Sequence, residues 1–288
     1  MKLYKTKTIR EISGQHEFRH SRSLGQNFLT DKNIRDRIIE ASDISSEDLV
    51  IEIGPGMGVL TQEAAERAGK VVAIEIDRSL IPVLEHTLSE YSNIEIINED
   101  VLRCSFRNII ERERPSGKVR IIGNLPYYIT TPIIMKILKE DVPADSITVM
   151  MQDEVAQRIE AAPGSRTYGA LSLAVQYSCR VTHIISVPRE AFVPKPKVDS
   201  AVLRLDIKER KSVDVKDERM FFACIRAGFG QRRKTLLNSL SGIGMFDREI
   251  IRKVLTEAGI DPVRRAETLT MEEFASIADK LSEEQKNI

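Results

Sequence analysis

The feature that most constrains the fold is a regular alternation of short apolar runs with amphipathic segments from Leu49 onward. Apolar runs rich in β-branched residues are typical of buried strands, and the amphipathic segments between them are typical of helices. This alternation predicts βαβ units, and therefore an α/β fold whose largely parallel sheet has helices on both faces. The predicted strands are LVIEIG (49–54), KVVAIEI (70–76), NIEIIN (93–98), KVRIIGN (118–124) and SITVMM (146–151).

The pattern changes in the last hundred residues. VTHIISVP (181–188) and the stretch 198–207 predict two late strands, an antiparallel pair at the sheet edge, whereas 220–281 predicts helices without strands. A chain of 288 residues can bury one large core and a smaller one. We therefore predict an α/β domain over residues 1–207, with a basic N-terminal arm, and a small all-helical domain over residues 208–288.

Composition limits the classes of partner and compartment. The 43 basic and 43 acidic residues balance, but residues 1–30 carry six basic side chains against two acidic ones, which is a local arm able to contact phosphate. The three cysteines form no C-x-x-C pair, and there is neither an apolar signal-peptide core nor an apolar run of about 18 residues. A cytoplasmic protein without a membrane span is expected. No metal site is predicted, because the four histidines are scattered.

A glycine-rich turn follows the first strand and marks a ligand site. EIGPGMG places Gly54 and Gly56 where the backbone can bend sharply and approach a cofactor, although Pro55 removes one amide donor. Glu75 ends the next strand and can accept hydrogen bonds from ribose hydroxyls; Asp100 ends the third and can accept from an adenine amino group. These residues predict a nucleoside site. NAD and S-adenosylmethionine share the ribose, so Glu75 does not choose between them.

The fourth strand end, GNLPYYITTP, carries groups suited to chemistry on an amino group. The side-chain oxygen of Asn124 and the carbonyl of Leu125 are two acceptors, and Pro126 adds no N–H to compete for them. Tyr127 offers a ring for stacking on a base. We predict that this turn holds both hydrogens of an adenine amino group while the nitrogen attacks a sulfonium methyl, with catalysis resting on in-line orientation rather than on a general base.

The chain resembles the bacterial branch of the ribosomal small-subunit RNA adenine dimethyltransferase family. The resemblance extends from Leu24 to Leu281 and rests on motifs that occur in the family's order: LGQNFL, EIGPGMGVLT, EID, NED, GNLPYYITTPI, YGALSLAVQ, FVPKPKVDSAV and FGQRRKTLLNSL. It implies a Rossmann-like methyltransferase domain and a helical C-terminal domain. It also implies transfer of four methyl groups from S-adenosylmethionine to N6 of two adjacent adenosines in a hairpin loop near the 3′ end of small-subunit rRNA.

The resemblance also implies roles for individual residues. The methyl-donor site would comprise Asn27, Leu29, Gly54, Glu75, Asp100 and Asn124. Asn124, Leu125, Pro126 and Tyr127 would form the catalytic turn, with Phe192 on the second face of the target base. For Phe192 alone, core packing is an equally good interpretation. One position departs from the family, which usually has Lys or Arg where this chain has Asp153, so the resemblance gives no basis for a phosphate contact there.

Basic residues in two regions are expected to contact the rRNA phosphates on either side of the predicted site at the strand ends. One group is the arm before Leu24, with Arg22 at its end. The other surrounds Phe229 in a helical context and comprises Arg226, Arg232, Arg233 and Lys234. The expected partner is rRNA within the 30S particle, and the expected state is a monomer, because no heptad pattern or long apolar stripe calls for a second copy.

Three other functions compete with this prediction. A methyltransferase of large-subunit rRNA, as in macrolide resistance, shares the N-L-P-Y turn, but FGQRRKTLLN and FVPKPKVDSAV favour the small-subunit group. A non-catalytic assembly factor would keep the nucleoside pocket only for stability. An NAD-dependent oxidoreductase would give N-L-P-Y no use.

Overall fold

The computed structural model describes residues 1–18, 20–21 and 24–286 of the chain. Arg22, predicted to contact RNA, lies outside the described residues. The chain divides into two compact units. The first unit comprises Met1–Ala156 and Arg180–Ile207, and the second comprises Gln157–Cys179 with the chain from Lys208 onward.

The division differs from the predicted domains in residues 157–179. One division falls after Ile207, where the sequence places its boundary, but 157–179 pack with the second unit instead of the first. Tyr168, Leu173 and Tyr177 from this segment are buried in one hydrophobic cluster with Phe221 and other residues of the C-terminal helices. Burial of these large side chains explains the assignment, because apolar area removed from water is the main stabilising contribution.

The first unit is built on a seven-stranded sheet with a separate two-stranded sheet. The larger sheet has the order β4-β3-β2-β5-β6-β9-β7, and β1 pairs with β8. The strands are β1 (Phe28–Leu29), β2 (Leu49–Ile53), β3 (Lys70–Glu75), β4 (Ile94–Asn98), β5 (Val119–Asn124), β6 (Ser146–Gln152), β7 (Cys179–Val187), β8 (Phe192–Val193) and β9 (Ser200–Ile207).

The burial of β2 explains why its sequence is apolar throughout. All five of its residues are buried, and successive side chains of a strand point to opposite faces, so both faces of the sheet are covered. The strands from β4 to β6 run parallel, and β9 joins β6 antiparallel with β7 outside it. The predicted α/β sheet, with its late strands at one edge, is confirmed. The strand order reverses between β2 and β5, and such reversals form crevices for ligands.

The helices follow the strands as the alternation predicts. They are α1 (Thr6–Gln15), α2 (Lys32–Ser42), α3 (Val59–Ala65), α4 (Ile81–Thr87), α5 (Phe106–Glu113), α6 (Thr130–Lys139), α7 (Asp153–Glu160), α8 (Ala170–Ser178), α9 (Glu218–Gly230), α10 (Leu236–Leu240), α11 (Arg248–Glu257) and α12 (Met271–Lys286). From Lys208 onward the described residues form helices and turns without strands, as predicted. In the described part of the chain, no helix is long and apolar enough to cross a membrane.

The basic N-terminal arm contains a helix that the sequence analysis did not predict. Ile9 and Ile12 on α1 are almost fully buried and pack in one cluster with Phe28 and Met57. Their i, i+3 spacing places both on one side of the helix, which is the signal for this packing. The arm therefore packs against the LGQNFL segment (residues 24–29) and against the glycine turn through apolar contacts.

The start of α2 is fixed by one capping residue. The side chain of Asp31 accepts hydrogen bonds from the backbone N–H groups of Asn33 at 2.8 Å and Ile34 at 3.2 Å. These donors have no partner inside the helix, so an aspartate at this position stabilises its first turn. The cap fixes the point at which LGQNFL ends and the helix begins.

Candidate active site

A cavity lies beyond the carboxyl ends of the parallel strands and collects most of the predicted site residues. Its walls come from the ends of β2, β3, β4 and β5 and from residues 24–29. The predicted residues that line it are Asn27, Leu29, Gly54, Gly56, Glu75, Asp100, Asn124, Leu125, Pro126 and Tyr127. Residues almost a hundred positions apart meet here because parallel strands bring their carboxyl ends to one edge of the sheet.

The glycine turn after β2 takes a backbone conformation that other residues rarely adopt. Gly54 has φ +68° and donates its N–H to the carbonyl of Ile74 at 3.0 Å. Gly56 has φ +59°, and a Cβ atom there would lie 3.0 Å from the ring of Phe28. Left-handed backbone and close packing both require glycine, so the turn brings main chain rather than side chains to the cavity wall.

Two acids in the cavity are almost completely buried. Glu75, at the end of β3, is 5% exposed, and Glu52, within β2, is 1% exposed. Burial raises the pKa of Glu75 to about 7 and that of Glu52 to about 8, and the charge of Glu75 adds to the rise at Glu52. The cavity therefore holds two carboxyl groups that gain stabilisation from a cation or from hydrogen-bond donors of a ligand.

The surroundings of Glu75 orient its carboxylate. Its Oε1 accepts the backbone N–H of Asp77 at 2.8 Å, and backbone N–H groups of Gly56 and Ile76 also lower its pKa. Oε2 of Glu52, in contrast, has no hydrogen-bond partner among the described residues. With its pKa raised to about 8, Glu52 is mostly protonated at neutral pH. A buried polar oxygen without a partner is costly, which marks Glu52 as a group that a cationic or hydrogen-bonding ligand would satisfy.

Asp100 provides a third acid, at the turn after β4. Its Oδ1 accepts the backbone N–H of Leu102 at 2.9 Å, which holds the side chain in one orientation. Arg103 lies 3.9 Å away and is largely exposed, so the pair is weak. Asp100 is partly exposed and keeps acceptor capacity toward the cavity, because each carboxylate oxygen accepts more than one hydrogen bond.

The amide of Asn124 is oriented by the LGQNFL segment. Its Nδ2 donates to the backbone carbonyl of Asn27 at 2.9 Å, while Nδ2 of Asn27 donates to the carbonyl of Gly25 at 3.0 Å. Only the NH₂ end of an amide can donate to a carbonyl, so the contact leaves Oδ1 of Asn124 as an acceptor. Leu125 donates its N–H to Met150 at 3.0 Å, and no hydrogen bond between described residues uses its carbonyl. Two acceptors are thus free at this strand end.

Tyr127 lies next to these acceptors with its hydroxyl fixed. The hydroxyl oxygen is 2.7 Å from Oγ of Ser200, the first residue of β9. The side chain is half-buried, and burial raises the pKa of its hydroxyl, so Tyr127 is neutral at physiological pH. The ring forms part of the cavity wall, where the sequence places it for stacking.

Phe192 is the one predicted active-site residue that the structure places elsewhere. It does not line the cavity, and it is 2% exposed. Its backbone pairs with Leu29 across β1 and β8, and its ring packs in a core cluster with Ile34 and Ile38. Phe192 therefore lies in core packing, the alternative interpretation of this residue, while Leu29 reaches the cavity; a role of Phe192 against the target base stays a prediction.

One glutamine in the LGQNFL segment connects it to the second strand end. Oε1 of Gln26 accepts the backbone N–H of Ser21 at 2.7 Å, and Nε2 donates to Oδ2 of Asp77 at 2.6 Å. Gly25 has φ +63°, which permits the turn, and Phe28 is 5% exposed and anchors the segment in the core. The segment is therefore held over the cavity by a polar bridge on one side and by core packing on the other.

The predicted RNA-contacting residues of the second unit are exposed, but only Arg226 is in a helix. Arg232, Arg233 and Lys234 lie in the turn between α9 and α10, not in the predicted helical context. The guanidinium of Arg232 donates to the carbonyls of Arg166 at 2.8 Å and of Tyr168 at 3.1 Å. Arg232 thus supports the local backbone although it is exposed. Arg233 and Lys234 are exposed as well.

Three further residues contribute to this site beyond those predicted from the sequence. The signal for Glu52 was an acid inside the apolar run LVIEIG, because a glutamate is rarely fully buried unless it has a partner. Gln26 and Ser200 act through contacts with residues far along the chain, and no local pattern reveals such contacts. In the described residues, no cluster of three or more His, Cys, Asp or Glu is arranged to hold a metal ion.

Comparison with known proteins identifies the family. The family model described as ribosomal RNA adenine dimethylase matches residues 17–283. A ribosomal RNA small subunit methyltransferase A from Alkaliphilus oremlandii (strain OhILAs) is 50% identical over 277 residues, which is 96% of each chain. The protein of the same name from Clostridioides difficile (strain 630) is 49% identical over 94% of this chain and 93% of its own length.

Two solved structures share the fold. A dimethyladenosine transferase from Plasmodium falciparum superposes with a TM-score of 0.77 at 27% identity, covering 91% of this chain and 98% of its own. The 23S rRNA methyltransferase ErmE superposes with a TM-score of 0.68 at 26% identity, covering 89% of this chain and all of its own. The chain therefore belongs to the ribosomal RNA adenine dimethylase family, a group of enzymes that take their methyl groups from S-adenosylmethionine.

Proposed function

We propose that the enzyme dimethylates N6 of two adjacent adenosines in a hairpin loop near the 3′ end of 16S rRNA, during biogenesis of the small subunit. The observation that carries this proposal is the pair of acceptors at the end of β5. With the NH₂ of Asn124 bound to Asn27, Oδ1 of Asn124 and the carbonyl of Leu125 match the two hydrogens of an adenine amino group.

The cavity residues fit S-adenosylmethionine, which supplies an electrophilic methyl group on a positively charged sulfur. Glu75 would accept hydrogen bonds from the ribose hydroxyls and Asp100 from the adenine amino group, while Gly54 and Gly56 let the main chain approach closely. Asn27 and Leu29 would close the cavity from the LGQNFL side. The buried, partner-free oxygen of Glu52 fits a cationic ligand, since a positive charge nearby offsets the cost of its burial.

Residues of the catalytic turn would prepare the target base. Oδ1 of Asn124 and the carbonyl of Leu125 hold the two N–H bonds so that the nitrogen lone pair points at the methyl group. Tyr127 stacks on the ring of the extruded base. No side chain must remove a proton first, because the proton on nitrogen becomes acidic only when transfer makes the nitrogen positive. Orientation then supplies most of the acceleration.

Small-subunit rRNA is favoured over large-subunit rRNA by the degree of similarity. The relatives named small subunit methyltransferase A are 49–50% identical over nearly the full length, whereas the 23S enzyme is 26% identical. The test is to supply unmethylated 30S and 50S particles with labelled S-adenosylmethionine. Label in 16S rRNA alone is expected, and label in 23S rRNA alone would contradict the proposal.

We further propose that the substrate is rRNA within the 30S particle and that the enzyme works as a cytoplasmic monomer. The three cysteines are buried and the sequence has no C-x-x-C pair, which suits a reducing compartment. A non-catalytic assembly role is less well supported, because such a factor has no need for the acceptor pair at Asn124 and Leu125.

Binding of the methyl donor is expected to release protons near neutral pH. Glu75 and Glu52 have pKa values raised to about 7 and about 8, so both hold protons in the ligand-free enzyme at lower pH. A cationic donor favours the ionised forms, so its Kd is expected to rise as pH falls below these values, by up to about tenfold per pH unit for each proton released. Calorimetry in two buffers with different ionisation enthalpies measures the release. Glu52→Gln should reduce it, and zero net proton exchange between pH 6.5 and 8 would contradict the assignment.

Reversing two exposed charges is expected to weaken binding to the 30S particle. Arg233→Glu/Lys234→Glu should lower the slope of log K against log salt by roughly 1.5, since each phosphate contact contributes about 0.7 to 0.9. Arg232 is left unchanged because its guanidinium supports the backbone at Arg166 and Tyr168. The control is Arg248→Glu/Arg252→Glu on α11. Equal losses of affinity in both variants would show that net charge, not the turn, decides binding.

A further inference from the structure

Two hydroxyl groups meet at the wall of the cavity, and one of them belongs to a fully buried serine. The phenolic oxygen of Tyr127 is 2.7 Å from Oγ of Ser200. Ser200 has no exposed surface, so water does not reach its hydroxyl. A buried polar group without water depends on its protein partner, which makes Tyr127 the partner that satisfies Ser200.

The serine is carried by a rigid part of the sheet. It is the first residue of β9 and pairs with Gln152 at the end of β6. The preceding residue, Asp199, accepts the backbone N–H of Asp153 at 3.1 Å through its carbonyl and that of Arg189 at 3.0 Å through its carboxylate. Groups held on paired strands keep their positions better than groups on loops, so the Ser200 hydroxyl is a fixed point.

The tyrosine, in contrast, is carried by a turn. Its backbone lies in a tight turn in which the carbonyl of Pro126 accepts the N–H of Ile129 at 3.1 Å and the hydroxyl of Thr130 at 3.1 Å. These bonds fix the main chain but do not involve the side chain of Tyr127. The hydroxyl contact with Ser200 holds the far end of the ring and so sets the plane that the ring presents to the cavity.

We propose that Ser200 is a positioning residue: it holds the ring of Tyr127 in the orientation that stacks on the target adenine before RNA arrives. The inference rests on the proposed stacking role of Tyr127. A ring fixed in advance loses less side-chain entropy when the base enters, and the base is held closer to the orientation in which its amino group reacts.

The experiment is a double-mutant cycle in single-turnover methylation of unmethylated 30S particles. The variants are Ser200→Ala, Tyr127→Phe, the double variant and Tyr127→Ala. Ser200→Ala and Tyr127→Phe are each expected to slow the reaction by about three- to tenfold, the usual effect of one neutral hydrogen bond. The double variant should be no slower than either single variant, because all three lack the same bond. Donor Kd should stay within about twofold, since Ser200 lies outside the cavity lining.

The matched control is Ser146→Ala. Ser146 is a buried serine at the other end of β6, where it accepts a hydrogen bond from Arg120 at 3.1 Å. Its loss measures the general cost of removing a buried strand hydroxyl, so a lower melting temperature with an unchanged rate is expected. The same result for Ser200→Ala would overturn the proposal and leave Ser200 with a structural role only.

The remaining outcomes also decide the question. Rates for Ser200→Ala and Tyr127→Phe that multiply in the double variant would show independent effects and overturn the proposal. If Ser200→Ala fails to fold, Tyr127→Phe removes the same bond from the partly exposed side, and a wild-type rate for that variant would overturn the proposal as well. A wild-type rate for Tyr127→Ala would instead refute the stacking role of Tyr127, which is a failure of the proposed function.

Discussion

Replacing Asn124 by alanine is expected to slow methyl transfer by about 10²- to 10³-fold, as for other groups that are preorganised for a transition state. The variant loses the acceptor that holds one hydrogen of the target amino group. Donor Kd should rise by no more than about fivefold, because on the cofactor side the substitution removes one neutral hydrogen bond to Asn27. Single-turnover rates and equilibrium donor binding measure the two effects separately.

The matched control is Asn93→Ala, at the start of the strand region that leads into β4. The amide of Asn93 also donates to backbone carbonyls, those of Ala65 at 2.9 Å and Ala68 at 3.0 Å, but it lies outside the cavity lining. This control should keep a near-normal rate. Comparable losses of rate and donor affinity in Asn124→Ala would mean that Asn124 mainly binds the cofactor.

Replacing Glu75 by glutamine is expected to raise donor Kd by about 10²-fold, because hydrogen bonds to a charged group contribute about 1.5 to 3 kcal/mol each. The rate at saturating donor should change much less, since Glu75 would contact the ribose and not the reacting atoms. Isothermal titration with S-adenosylmethionine measures the affinity. Glu85→Gln is the control, because Glu85 is an exposed acid of α4 that lies outside the cavity lining.

Glu75→Gln is also expected to change how the free energy of unfolding depends on pH. Burial raises the pKa of Glu75 to about 7, so the native state binds this proton more tightly than the unfolded chain does. The resulting contribution to stability is fully present below the ordinary glutamate pKa and is lost as pH rises through about 7. Glu75→Gln removes this loss, so its free energy of unfolding should exceed that of the wild type increasingly up to pH 7. Parallel pH curves would contradict the burial of an ionisable Glu75.

The sheet and the cavity acids were predictable because their signals are local. Strands such as β2 are buried on both faces and therefore appear as continuous apolar runs, and the acids that follow β3 and β4 stand out at the strand ends. The place of the turn after β5 in the cavity wall was predictable for the same reason, because proline after Leu125 and an amide before it form one short pattern. Its catalytic role stays a prediction.

Other features depend on contacts that no local pattern encodes. The burial of Phe192 follows from its pairing with Leu29, far away in the chain, and an isolated aromatic residue has the same pattern in a core as at a binding site. Residues 157–179 include α8, which is buried at most of its positions, and packing against Phe221 and its neighbours assigns the segment to the second unit. The role of Ser200 likewise depends on a partner 73 positions away.

The LGQNFL segment links the strand end at β3 to the strand end at β5. Gln26 connects it to Asp77 beside Glu75, and the carbonyl of Asn27 orients the amide of Asn124. Because α1 packs behind the segment, the basic arm and the active site are parts of one packed structure within the first unit. Closure of this segment over the donor would therefore also prepare the acceptor end of β5.

The central claim is that this cavity converts adenosine to N6,N6-dimethyladenosine in small-subunit rRNA. The most direct measurement is to incubate the enzyme with unmethylated 30S particles and S-adenosylmethionine, digest the 16S rRNA to nucleosides, and quantify methylated adenosines by mass spectrometry. The account predicts N6,N6-dimethyladenosine at two adjacent positions, which corresponds to the four methyl groups implied by the family resemblance. Monomethyladenosine as the only final product, or no methylated adenosine in 16S rRNA, would contradict it.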